Sequence, residues 1–182
     1  SCPAPDAPGS KQVAALMTIT GLIDAPKADK EFLSINGAQG FSTFYGYYML
    51  EAMATAGNYQ GALDVIREYW GAMIDLGATS FWEDFDINWI PNAVPIDELV
   101  PEGKKDIHGD CGAYCYVGFR HSLCHGWASG PTSWLSRHIL GVEVIEPGCR
   151  QVRITPHLGD LKWVKGTFPT PYGEIQIYHE KQ

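Results

Sequence analysis

Three carboxylates, Glu83, Asp84 and Asp86, are interleaved with four aromatic rings, Phe81, Trp82, Phe85 and Trp89, directly after the helix-stop run Gly77-Ala-Thr-Ser. A ring beside a carboxylate excludes water and disfavours its charged form, which suits the group to general acid or base work. Flat rings also give apolar platforms for the face of a sugar. The alternative is a solvated acidic turn whose rings belong to the core. A second cluster, Cys124-His125-Gly126-Trp127-Ala128-Ser129-Gly130, sits at the mouth of a later helix. Free N–H groups gather there, and His125 is placed to hydrogen-bond a ligand hydroxyl. Its alternative is a histidine bonded to its own loop.

Metal chemistry is not expected. His108, Asp110, Cys111, Cys115, His121, Cys124 and His125 lie close in sequence, but Cys-x3-Cys followed by Cys-His lacks zinc-ribbon spacing. Gly-x-Ser-x-Gly, Walker A and dinucleotide-binding patterns are absent, so no cofactor is expected either. Five cysteines (Cys2, Cys111, Cys115, Cys124, Cys149) without a CxxC pair argue against a complete disulfide framework. Most are expected to be buried free thiols.

The elements that must carry these clusters are helical first. Lys11 to about Ile23 reads as a helix capped by Ser10, with Val13, Leu16, Met17 and Thr20 on one face. Ser42 to Ala56 is apolar nearly all round, so it must be covered on several sides. Gly57-Asn58 separates it from an amphipathic helix, Tyr59 to about Leu76, and the pair reads as an αα-hairpin of inner and outer layers. A fourth helix starts at Ser129 or Thr132, with Trp134, Leu135 and Ile139 as its stripe, and ends at Gly141. The period then changes to two. Val142–Ile145, Gln151–Thr155, Leu161–Lys165 and Glu174–Tyr178 read as strands of one sheet, with turns that include Pro169 and Pro171. From Gly77 to Gly130 only Ala113–Cys124 has helical character, and loops of that length are usually functional.

With 182 residues, 45% apolar and 19% charged, the chain has one domain or two small ones and is not disordered. Its net charge of −8 argues against nucleic acid or an anionic membrane as partner. The opening Ser-Cys-Pro-Ala-Pro, with no signal peptide, reads as part of something longer, and the compartment (periplasm or cytoplasm) stays open.

Four motifs, in order along nearly the whole chain, resemble the bacterial α-L-rhamnosidases of glycoside hydrolase family 78. They are Gly40-Phe-Ser-Thr-Phe-Tyr-Gly-Tyr-Tyr-Met-Leu-Glu-Ala-Met, Gly77-Ala-Thr-Ser-Phe-Trp-Glu-Asp-Phe, Ser122-Leu-Cys-His-Gly-Trp-Ala-Ser-Gly-Pro-Thr-Ser-Trp-Leu, and Gly148-Cys-Arg-Gln-Val-Arg-Ile-Thr-Pro-His-Leu-Gly-Asp-Leu with Thr167-Phe-Pro-Thr-Pro-Tyr-Gly. The resemblance implies a mainly α region followed by β structure. Residues 1–141 would be the last part of an (α/α)6 toroid, and residues 142–182 the start of an antiparallel β-sandwich.

The resemblance also implies hydrolysis of terminal α-L-rhamnosides with inversion, by an acid and a base about 6.5–9.5 Å apart. Glu83 matches the general base and His125 a histidine of the sugar pocket. Trp82, Asp86, Trp89 and Trp127 are the further candidate substrate contacts. Cys124 departs from the Asn common in the family, which changes the polarity beside His125. The Asp/Arg-rich motif that carries the acid has no counterpart in residues 1–76. The chain alone is therefore expected to be inactive and to need the N-terminal part of the enzyme. An open half-barrel would leave the Phe44–Met53 helix exposed, which points to self-association. Other readings are a non-catalytic carbohydrate-binding or structural fragment, and a six-hairpin glycosidase for another sugar, for which Arg120 is the candidate partner of a uronate.

Overall fold

The computed structural model describes residues 9–99, 101–102 and 122–181. Its helices are α1 (Lys11–Ile19), α2 (Ala25–Ala28), α3 (Gly46–Thr55), α4 (Tyr59–Asp75) and α5 (Gly130–Trp134), followed by strands β1 (Val142–Glu146), β2 (Gln151–Ile154), β3 (Trp163–Thr170) and β4 (Gly173–Glu180). Single π turns, Asp29–Leu33 and Leu135–Ile139, extend α2 and α5.

The central element is α3. Its Met49, Leu50 and Met53 are fully or almost fully buried against α1, α4 and α5, as an all-round apolar helix requires. Much of the apolar flank expected to be exposed is thus covered within the chain, while Phe44 and Tyr45, in the turn before α3, are exposed and Tyr47 and Tyr48 half-buried. Gly57, with φ 79°, makes the tight turn, and the Asn58 side chain caps α4 by accepting from the Gly61 N–H at 2.9 Å.

In α1 the expected face is reversed. Ala14, Ala15 and Thr18 are buried, whereas Val13 and Leu16 are 47% and 41% exposed. Small side chains let α1 lie close on α3, and Thr18 satisfies its hydroxyl by donating to the Ala14 carbonyl at 2.8 Å. The helix stops at Ile19, short of the expected Ile23, and Gly21 follows at φ 73°. Ser10 occupies the cap position, but its hydroxyl donates to the Gln12 side chain rather than to backbone.

The strands form two antiparallel hairpins, β1–β2 and β3–β4, rather than the single expected sheet. They share a small cluster of Leu140, Val142 and Ile177 with Val152, Val164, Phe168 and Ile175 around it. Pro169 was expected in a turn but lies inside β3 opposite Glu174, on a hairpin whose outer edge needs no N–H from it. Leu161 falls before the strand.

Helices and strands are fastened at one seam. Arg67 of α4 makes a two-pronged ion pair with Asp160 at 2.8 and 3.0 Å, which holds the Asp160 carboxyl below its usual range. The Tyr59 ring stacks on His157 at 3.7 Å, and burial, with His138 nearby, pulls the His157 imidazole down. The seam turns at Gly141, where φ is 83° and an added Cβ would lie 2.4 Å from the Thr155 carbonyl.

Gly141→Ala is therefore expected to lower the unfolding free energy by about 1–3 kcal/mol, the cost of one strained backbone position. Urea unfolding reads this, and an unchanged midpoint would mean the seam is not packed as described.

Candidate functional site

The loop from Gly77 to Phe85 has no strand partner of its own, so its polar backbone groups must be satisfied by other means. They are satisfied by the segment just before α5 and by side chains from the helices. Glu83 N–H donates to the Ser122 carbonyl at 2.8 Å, and His125 N–H donates to the Phe81 carbonyl at 2.7 Å. Segments 81–83 and 122–125 thus run antiparallel for two bonds. Ser80 donates its hydroxyl to the Leu123 carbonyl beside them.

The Glu83 carbonyl takes two side-chain donors, Thr43 Oγ1 at 2.5 Å and Trp127 Nε1 at 2.7 Å. Both of its lone pairs are engaged. Farther along, Tyr69 donates its buried hydroxyl to the Phe85 carbonyl. Burial, with the Asp84 and Asp86 charges adding, pushes the Tyr69 phenol far up, so it remains a donor at any ordinary pH. Trp70 Nε1 donates to the Ala128 carbonyl at 2.9 Å, which fixes the other segment to the same helix.

This scaffold aims the Glu83 carboxylate. Its Oε2 accepts the Ser122 N–H at 2.7 Å and stands 3.9 Å from His125 Nδ1. The Glu83 side chain is 13% exposed and that of His125 32%. The His125 ring lies 4.1 Å from the Trp127 ring, which is 45% exposed. Glu83, His125 and Trp127 therefore meet at one place, with a carboxylate, an imidazole and an open indole converging.

The remaining candidates are placed differently. Trp82 is wholly buried in the helical core with Phe85 6.0 Å away, so it offers no ring face to a ligand. Its alternation with Glu83 explains this, since one side chain must point inward if the other points out. Asp86 accepts from the backbone N–H and side chain of Asn88, both at 2.8 Å, and caps the 3-10 turn Ile87–Asn92. Trp89 is half-buried, edge-on to Phe85 at 6.0 Å.

Cys124 and Cys149 are free thiols, but the first is exposed and the second half-buried, not buried as expected. Cys2, Cys111, Cys115, His108, Asp110, Arg120 and His121 lie outside the described residues, as does most of the Ala113–Cys124 segment read as helical. Among the described residues no three His, Cys, Asp or Glu side chains gather as metal ligands.

Two partners of Glu83 went unassigned in the sequence. Thr43 is buried among aromatic residues just before α3, where a hydroxyl must find an acceptor, and that was its only signal. The Ser122 contact comes from a backbone N–H and leaves no trace in residue type.

Comparison with known proteins bears on the fold. Residues 141–182, the two hairpins, match the model of the bacterial alpha-L-rhamnosidase C-terminal domain. A GH78 family rhamnosidase structure from Bacillus sp. GL1 is 28% identical, with a TM-score of 0.68 over 94% of this chain. The chain resembles the C-terminal portion of an α-L-rhamnosidase.

Two further α-L-rhamnosidase structures, from Aspergillus terreus and Dictyoglumus thermophilum, match 93% and 96% of the chain at TM-scores of 0.70 and 0.67. At 21% identity they speak for the fold alone. The chain spans only 16%, 19% and 18% of these three rhamnosidase chains, in the order given. No curated protein matches it.

The anchoring of this rhamnosidase-like loop is testable through its shared acceptor. Thr43→Val is expected to cost about 1–2 kcal/mol, because the Glu83 carbonyl loses the Thr43 hydroxyl donor. Thr43→Val with Trp127→Phe should cost more than the two single changes summed, since together they leave that carbonyl without either side-chain donor. Urea unfolding of the four proteins gives the coupling, and strict additivity would mean the two donors do not share an acceptor.

Proposed function

We propose that this chain is the C-terminal portion of an inverting α-L-rhamnosidase and that Glu83 is its general base. The observation that carries this reading is the Glu83 carboxylate, mostly shielded from water, with Oε2 oriented by the Ser122 N–H and facing His125. In this role Glu83 takes a proton from a water molecule as that water attacks the anomeric carbon opposite the leaving oxygen. The water oxygen then forms the new C–O bond, and the C–O bond to the aglycone breaks as an acid protonates the departing oxygen. His125 hydrogen-bonds a rhamnose hydroxyl, and the exposed Trp127 ring gives the sugar an apolar face to rest on.

The acid belongs to a part of the enzyme beyond this chain, so the chain by itself releases no sugar. On the same reading residues 1–141 are the last part of an (α/α)6 toroid, and residues 142–182 begin a β-sandwich. The placement of Trp82, Asp86 and Trp89 supports roles in holding the loop rather than in touching sugar. Rhamnose-containing glycosides are the substrate class, and the upstream part of the enzyme is the required partner.

Glu83→Gln keeps the size of the side chain and an oxygen for the Ser122 N–H, but removes the base. In the complete enzyme, acting on an aryl α-L-rhamnoside, kcat is expected to fall about 10²–10⁴-fold with a much smaller change in KM. Near-normal turnover would reassign Glu83 to structure.

A further inference from the structure

Where the helices meet the hairpins, a cavity of about 260 Å³ opens at the seam. Tyr59 reaches it from α4, Arg137 and His138 from the π turn that extends α5, Glu143 from β1 and Arg153 from β2. Gly141, Thr155 and His157 close it from the connecting segments. The volume falls short of sites for drug-sized ligands, roughly 300–1,000 Å³, and suits a small ion. Among the described residues it sets two guanidiniums and two imidazoles against one carboxylate, Glu143, in a chain whose net charge is −8.

The guanidiniums have donors left over. Arg137 Nη1 lies 3.5 Å from Glu51 Oε2, a long contact, and Arg153 Nη1 lies 3.2 Å from Glu143 Oε2. Arg137 also reaches the Tyr47 phenol. Each guanidinium carries five N–H donors, and ion pairs this open, with the arginine side chains 52% and 63% exposed, hold weakly. Glu51 does not line the cavity, and its carboxylate accepts from His138 Nε2 at 3.1 Å.

The imidazoles are fixed in place. Tyr59 stacks on His157 at 3.7 Å and lies 5.8 Å from the His138 ring, while the His157 backbone N–H donates to the His138 carbonyl at 3.0 Å. Burial, with His138 nearby, lowers the pKa of His157, so without an anion its ring is neutral at neutral pH. Tyr59 and Thr155 bring hydroxyls, which donate or accept as required.

Convergent donors with an excess of positive charge call for a compact anion that accepts from several directions. A tetrahedral oxyanion does so, and the guanidinium fork matches its edges. We propose that this cavity binds a phosphate or sulfate group, held between Arg137 of the helical part and Arg153 of the hairpins. Bound there, the group ties the two parts together across the seam, and the His157 imidazolium forms against it. The role is independent of the assignment of Glu83.

The test is calorimetric titration of the 182-residue chain with sulfate, inorganic phosphate, glucose 6-phosphate and acetate at constant ionic strength, with circular dichroism showing that each variant is folded. Sulfate is expected to bind with a Kd of about 1 mM or below, and acetate about tenfold more weakly. Arg137→Gln and Arg153→Gln, both at exposed side chains, should each weaken sulfate about tenfold or more, as loss of a charged hydrogen bond does. Glu143→Gln, which removes the competing carboxylate, should tighten it about threefold.

Sulfate keeps its charge between about pH 6 and 7.5, above the ordinary carboxylate range, so the profile there reports the imidazoles. Binding should tighten about three- to tenfold as the pH falls across that range, because the anion favours the charged form of a ring that is neutral without it. The groups facing His157 are Tyr59, Arg137, His138, Glu143 and Arg153, with Glu51 beyond His138. His157→Gln should flatten most of the profile and leave sulfate bound.

Glucose 6-phosphate that matches inorganic phosphate marks the ligand as an ester, and a much weaker ester marks it as the free ion. Both uphold the site. Absence of sulfate binding up to about 10 mM, binding untouched by both arginine changes, or acetate as tight as sulfate overturns it. A pH profile unchanged by His157→Gln overturns the part given to that ring.

Discussion

The Glu83 carbonyl, gripped by Thr43 from one side and by the Trp127 indole from the other, is the contact on which the site depends. A loop that crosses a helical core without a ladder would strand its backbone groups, each at a cost of about 1–3 kcal/mol if buried and unpaired. Here the cost is avoided by donors that belong to fixed elements. Tyr69 and Trp70 of one helix hold the Phe85 and Ala128 carbonyls, and so tie both site-bearing segments to α4. The carboxylate of Glu83 inherits its position from its own main chain. That is a stiffer arrangement than a long side chain held only at its tip.

The same accounting explains why the site lies where helices give way to strands. Short α5, with Gly130 close enough that a Cβ would meet Tyr47 at 2.8 Å, brings the His125–Trp127 segment down onto the start of α3. The chain then turns at Gly141 into the hairpins. Arg67, Tyr59 and Glu51 hold the seam there: Arg67 pairs with Asp160, Tyr59 stacks on His157, and the Glu51 carboxylate accepts from His138 Nε2 at 3.1 Å. The rhamnosidase-like portion thus has one continuous path of contacts from the strands to the loop of Glu83.

Much of this was legible in the residues. The switch from helical to alternating period at Gly141 and the αα-hairpin around Gly57-Asn58 follow from patterns that act locally, whereas only the family resemblance implied that Glu83 and His125 share a site. What was not legible depended on choices between faces and partners. In α1 two faces were available, one of large and one of small side chains, and close approach to α3 selected the small one. Trp82 and Glu83 are neighbours, and only the packed core decides which of them points inward. The strands were readable one by one, but whether they form one sheet or two hairpins is a matter of long-range pairing.

Whether Glu83 acts on water or merely closes the loop is decided by replacing its function with a small external anion. In the complete enzyme, Glu83→Ala removes the base and leaves space, so added azide can attack the anomeric carbon without needing a proton removed. Azide is expected to restore turnover of an aryl α-L-rhamnoside in a concentration-dependent way, with β-L-rhamnosyl azide, the inverted anomer, as product. A folded Glu83→Ala enzyme that azide does not rescue, or one that forms the α-anomer, would contradict the role of Glu83 as base of an inverting enzyme.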